Sequence, residues 1–114
     1  MKFKLYYNSL FVGDIDNAFE NQATWFGAFT ARLPESASDV ERSLAEFIAF
    51  SERWHERLKA GKDPDANEFN LFADIVRSGW EVEESDNVRS PLDGAPIFIE
   101  GDVSWRLLAT RPGA

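Results

Sequence analysis

The sequence predicts an α+β domain: a mostly antiparallel sheet in the order β-β-β-α-α-β-β-β, with an antiparallel pair of helices layered on one face. Three observations carry this. Residues 2–33 show strand-like alternation, residues 38–79 hold two amphipathic helical patterns split by a short turn, and residues 80–108 return to brief strand-like runs divided by Pro and Gly. No β-α-β alternation supports a parallel sheet. At 114 residues the chain makes one domain, and no internal repeat or second unit is visible.

Residues 2–15 read as a hairpin around Asn8 and Ser9, since Asn tolerates the positive φ of a two-residue turn. Pairing Tyr7 with Leu10 and Leu5 with Val12 then puts Phe3, Leu5, Tyr7, Leu10 and Val12 on the core face, and Tyr6 and Phe11 on the other. Residues 16–23 read as polar, irregular chain apart from Phe19. Residues 24–33 alternate as a third strand, with Trp25, Phe29, Ala31 and Leu33 aligned and Phe26 opposite. Gly13 and Gly27 interrupt strand patterns and mark bulges or close backbone approaches.

After residues 34–37 end the sheet segment, Ser38 and Glu41 form a capping box that starts a helix running to about Ala60, stopped by Gly61. Val40, Leu44, Phe47, Ser51, Trp54 and Leu58 form its apolar stripe, with Ile48 on the flank. Asp63 and Pro64 read as N-cap and first turn of a second helix, which shows Phe69, Leu71, Phe72, Ile75 and Val76 on a broad arc and ends at Gly79. Residues 80–83 form a short strand, residues 91–94 a turn, and residues 96–99 and 103–108 a closing hairpin. Its register has two readings: a three-residue loop aligning Ile99 with Val103, or a two-residue loop pairing Phe98 with Trp105.

The composition is 44% hydrophobic and 14% aromatic with a mean hydropathy of -0.35, which describes a globular, aromatic-rich chain. The absence of Cys excludes disulfides, thiolate nucleophiles and cysteine-ligated metals. No apolar run approaches the roughly 18 residues of a membrane span and no signal peptide is read at the start, so a cytoplasmic protein is expected. Size and composition suggest a bacterial one.

The net charge is -8, and residues 63–102 alone carry eleven acidic groups against two basic. That segment offers either a solvated surface or an acidic partner-binding face, and the overall field disfavours nucleic acid and anionic membranes. No glycine-rich phosphate loop is present, and no cofactor is expected. The single imidazole, His55, lies beside the helical stripe without a nucleophile motif, and Lys59 stands where a zinc-protease helix would carry its second His. Asp63 with Asp65 suit a helix N-terminus, and Glu81 with Glu83 the polar side of a strand. Only Asp14 and Asp16, followed by Asn17 and Glu20, resemble a cation site, and no metal is assigned.

The most informative feature is the surplus of aromatics on the outer face of the sheet: Tyr6, Phe11 and Phe26, with Phe98 a candidate fourth. Either they form a contact surface, or residues 16–23 or 84–95 fold over them as a second small core. The leading expectation is a non-enzymatic, acidic interaction module of the inhibitor or immunity-protein kind, holding a protein partner or a second copy through Tyr6, Phe11, Phe26, Glu81, Glu83 and Glu84. The alternatives are a small carboxylate- or metal-dependent hydrolase and a self-associating structural domain.

Overall fold

The computed structural model describes residues 1–33, 38–84 and 88–108; the expected sheet-ending segment 34–37 lies outside them. The described strands are β1 (Phe3–Tyr7), β2 (Leu10–Asn21), β3 (Thr24–Ala31), β4 (Trp80–Glu83), β5 (Arg89–Pro91), β6 (Ile97–Ile99) and β7 (Asp102–Trp105). They form one antiparallel sheet in the spatial order β5-β4-β1-β2-β3-β7-β6. Between β3 and β4 lie α1 (Asp39–Lys59), a 3-10 helix (Ala66–Phe72) and α2 (Ala73–Arg77). The fold is therefore α+β, as predicted, with β5 as an unforeseen strand.

The first turn forms at Asn8 and Ser9, both at positive φ, and Tyr7 pairs with Leu10. Beyond that pair the expected register fails. A bulge lets Leu5 face Gly13 instead of Val12, so Val12 and Ile15, three residues apart, both point into the core. A second bulge between Asp16 and Phe19, with Asn17 left-handed at φ 55, repeats the device for Ile15 and Ala18. Residues 16–21 are thus strand and not irregular chain: the inserted residue reverses the alternation that would have announced it. Gly13 and Gly27 mark close approaches, since a Cβ on Gly27 would stand 2.5 Å from the Ile15 methyl and one on Gly13 2.4 Å from the Thr30 carbonyl.

Bulges increase the twist of a strand, and two in the long β2 curl this sheet until its ends meet. Leu92 bridges Leu107; the Asp93 N–H donates to the Arg106 carbonyl at 2.8 Å and the Leu108 N–H to the Pro91 carbonyl at 2.9 Å. On its other side the Leu92 N–H donates to the Trp80 carbonyl at 2.9 Å, so residues 91–93 join β4 to the continuation of β7. The sequence reading placed only a turn there.

The sheet's interior holds the core. Phe47 on α1 lies at its centre, with ring centroids 5.5 Å from Phe72, 6.0 Å from Trp80 and 6.4 Å from both Phe69 and Phe98. The capping box forms as expected, with the Glu41 N–H donating to Ser38 Oγ and the Ser38 N–H to Glu41 Oε1. Leu44, Phe47, Ile48 and Ser51 are buried, whereas Val40 and Leu58 are exposed. A 21-residue helix is about 31 Å long, so its outer turns overhang the core. The second helix starts later than predicted, at Ala66, because Asp65 and not Asp63 supplies the cap, its side chain accepting from the Asn67 N–H. Its 3-10 winding stacks Phe69 above Phe72, toward Phe47 and Phe50, and turns Leu71 out to solvent.

Neither expected register describes the closing hairpin. Glu100 and Gly101 form its two-residue turn at φ 50 and 81, pairing Ile99 with Asp102, Phe98 with Val103 and Ile97 with Ser104. Phe98 consequently enters the core, edge-on to Phe29 at 5.1 Å, and leaves the outer aromatic set. α1 packs along β6, where the Phe98 N–H points at the buried Ser51 Oγ at 3.5 Å, so the helix covers an edge that would otherwise be open to pairing.

Truncating the centre of this core tests the arrangement. Phe47→Ala or Leu44→Ala should cost about 2–5 kcal/mol in denaturant unfolding through the cavity left behind. A loss below about 0.5 kcal/mol, typical of surface positions, would mean that α1 presents another face.

Candidate functional site

Alternation along the strands sends Tyr6, Phe11, Phe19 and Phe26 to the sheet's exterior, together with Lys4, Asp14, Glu81 and Glu83. Residues 16–23 do not cover this face, and of residues 84–95 the described ones reach it through Arg89, which lies over the Tyr6 ring. Residues 16–21 continue β2, so Phe19 joins the exterior; Leu92, just past β5, points inward, and residues 85–87 lie outside the described ones.

The exterior aromatics form two pairs and not one patch. Tyr6 lies 5.7 Å from Phe11, and Phe19 stacks on Phe26 at 5.4 Å. Phe11 and Phe19 are eight residues apart on β2, roughly 25 Å at the usual rise per strand residue. A belt of charge fills the interval: Arg32 Nε donates to Asp14 at 2.9 Å, Lys2 approaches Asp16 at 3.8 Å, and these groups with Lys4 and Glu84 line a groove of about 400 Å³.

Around the first pair the charges are organised. Arg89 stands 3.9 Å from the centre of the Tyr6 ring and donates through Nε to Glu83 at 2.9 Å, so one guanidinium serves a cation–π contact and an ion pair together. The Glu83 side chain is only 11% exposed, and its hydrogen bond raises the Arg89 pKa above the ordinary guanidinium value. Lys4 lies 6.0 Å from the Phe11 ring. Glu81 sits opposite Tyr6 on the same face, and Glu84 follows the strand end, exposed. The second pair carries more bare apolar surface, with Phe19 57% and Phe26 37% exposed. Of the sequence-predicted contact residues, the fold therefore groups Tyr6, Phe11, Glu81 and Glu83, and places Phe26 elsewhere with Phe19. Sequence reasoning missed Phe19 and Arg89; the positive-φ tolerance of Asn17 was the one local signal for the bulge that turns Phe19 outward.

The acidic segment does not gather on one face. Asp65, Glu68 and Asp74 lie on the helical side, Glu81 and Glu83 on β4, and Glu100 and Asp102 at the β6–β7 turn. Several are already paired: Glu68 with Arg57, Asp74 with Arg77, Glu83 with Arg89 and Glu100 with Lys59.

The residues weighed for catalysis are engaged in the fold. His55 Nδ1 is 2.7 Å from the Ser51 carbonyl, the geometry of an N–H donor to that oxygen, and 3.4 Å from Ser51 Oγ. Ser51 is only 1% exposed and its Oγ lies on the side of Nδ1, the nitrogen engaged with the carbonyl, so the pair lacks the reachable hydroxyl of a nucleophilic site. Among the described residues no group of three or more His, Asp or Glu side chains is placed to hold a metal ion, and no helix is long and apolar enough to cross a membrane. Comparison with protein-family models, curated proteins and solved structures finds no match.

Because Asp14 and Asp16 already face cations, millimolar calcium, magnesium or manganese should leave the melting temperature within about 1 °C of its value in chelator. A saturable rise that disappears in Asp14→Asn would contradict this.

Proposed function

We propose that the chain is a small acidic interaction module that holds a protein partner against the exterior of its curled sheet. One observation carries the reading: the interior is already filled by large side chains, yet two aromatic pairs stand on the outside, with the Arg89 side chain lying over Tyr6. Aromatic side chains give a binding surface large contact area at low entropic cost, and Tyr and Arg are favoured at the energetic centres of interfaces. The half-buried Tyr6–Phe11 pair, held by Arg89 and bordered by Glu81 and Glu83, is such a centre with its side chains already positioned.

A net charge of -8 favours a basic partner, drawn in by long-range attraction and anchored by apolar burial, as small inhibitors and immunity proteins engage theirs. A cytoplasmic setting belongs to the same proposal. The hydrolase reading has less support, since its carboxylates Asp14 and Asp16 are met by Arg32 and Lys2.

Capture of partners from a lysate by the wild type and by Tyr6→Ala with Phe11→Ala, at about 0.05 M and about 1 M salt, tests the reading. The expected result is a complex that forms with wild type at low salt, weakens as the Debye length falls to about 3 Å at 1 M, and is lost in the double variant at unchanged melting temperature. A complex indifferent to these substitutions and to Phe26→Ser would contradict it.

A further inference from the structure

The second aromatic pair lies in a surface with its own symmetry. Across four strands the registers align Phe19, Phe26, Ser104 and Ile97 in one row on the exterior, from β2 through β3 and β7 to β6. Phe19, Phe26 and Ile97 are all substantially exposed, and beside Phe26 a depression of about 260 Å³ is bordered by Ile97, Ile99 and Asp102. Charge flanks the row unequally. On one side, two residues before Ser104, stands Asp102; on the other, two residues after it, stands Arg106, whose Nε donates to Thr24 Oγ1 at 3.1 Å. Neither Asp102 nor Arg106 has an ion-pair partner among the described residues.

We infer that this row is the seat of a second copy of the chain, paired about a two-fold axis that runs along the row through Ser104. The inference rests on the reading of the sheet exterior as a contact face, but uses the half of it that the Tyr6–Phe11 site leaves free. A two-fold interface requires a patch complementary to itself. Turning one copy over about an axis in the plane of the sheet lays Phe19, Phe26 and Ile97 on their own equivalents and exchanges the two sides of the row. Asp102 of each copy then faces Arg106 of the other, because both lie two residues, about 7 Å, from Ser104, one at the start of β7 and the other just past its end. Two ion pairs form across an apolar centre, each from groups that have no ion-pair partner among the described residues. A basic foreign partner would meet Arg106 as a like charge, whereas a second copy meets it with Asp102.

The expected strength follows from area and charge. The row spans about 14 Å between its outer strands at the usual spacing, on a convex surface, which falls short of the roughly 800 Å² per partner of stable complexes. The dimer is therefore weak and in rapid exchange. Two bodies of charge -8 also repel at long range, so association strengthens as salt rises from about 0.02 M to 0.15 M and the repulsion is screened. This is the reverse of the salt response expected for a basic partner.

Analytical ultracentrifugation of the full chain at concentrations up to about 0.5 mM, over that salt range, reads the equilibrium directly. Wild type is expected to show a reversible dimer that tightens with salt, and Phe26→Ser or Ile97→Ser to lose it. Asp102→Arg and Arg106→Asp alone should each weaken it tenfold or more. Mixing those two single variants, or combining both changes in one chain, restores the opposed charges and should restore association. Circular dichroism melts confirm that each variant is folded. A wild type that stays monomeric at every salt concentration overturns the inference, and so does a double exchange that associates no better than the single variants. Either result leaves the Tyr6–Phe11 reading standing, since that reading turns on Tyr6→Ala with Phe11→Ala and on the opposite salt response.

Discussion

Two inserted residues in β2 set the shape on which everything else depends. Each bulge admits one more residue to β2 than its partner strand supplies, and together they bring Val12, Ile15 and Ala18 to the interior while bending the sheet. The bend allows residues 91–93 to meet residues 106–108, so the sheet's interior becomes an enclosed volume. α1 covers the β6 side and places Phe47 among Phe69, Phe72, Trp80 and Phe98. An enclosed volume is finite. Once Leu5, Ile15, Leu44, Phe47, Trp80 and Phe98 occupy it, the remaining aromatics on the alternate strand positions stand outside, and their exposure follows from the same curl that makes the core.

The electrostatics are local and not collective. Eleven carboxylates within forty residues suggest a single acidic face, but the described ones are distributed over helices, strand, turns and loops, and several are met by Arg or Lys. Exposed pairs of this kind are worth about 0–1 kcal/mol each, so they contribute less to stability than to the choice of what approaches the surface. Arg89 is the exception in arrangement: stacked on Tyr6 and held by the mostly buried Glu83, it joins residues that two separate sequence signals, aromatic and acidic, had singled out independently.

What the sequence made legible was local. Ser38 with Glu41 announced the start of α1, Asn8 with Ser9 the first turn, and the spacing of Leu44, Phe47 and Ser51 the buried stripe. The failures share a cause. A bulge shifts strand parity by one residue, so Asp16, Asn17 and Ala18 lose the alternation by which a strand is recognised, and Phe19 changes its apparent face. Phe98 was misplaced because hairpin register depends on the turn chosen, and Glu100 with Gly101 form a turn one position before the two-residue loop that was weighed. Strand β5 was hidden because its pairing partners, β4 and the continuation of β7, are set by closure and not by any pattern within residues 89–93. The candidate site was half legible: the exterior placing of Tyr6 and Phe11 follows from alternation alone, while the separation of Phe26 from them needed the full register of β2 and β3.

The claim that closure encloses the interior, and so leaves the outer aromatics without a place in the core, has a direct measurement in native-state hydrogen exchange. The Asp93 and Leu108 amides, which donate to the Arg106 and Pro91 carbonyls, report on the seam itself. If the sheet is closed, both exchange only with global unfolding, within about 1 kcal/mol of the slowest β1 and β2 amides. Exchange of these two amides several kcal/mol more readily than β1 and β2, by local opening, would show an open sheet and contradict the account.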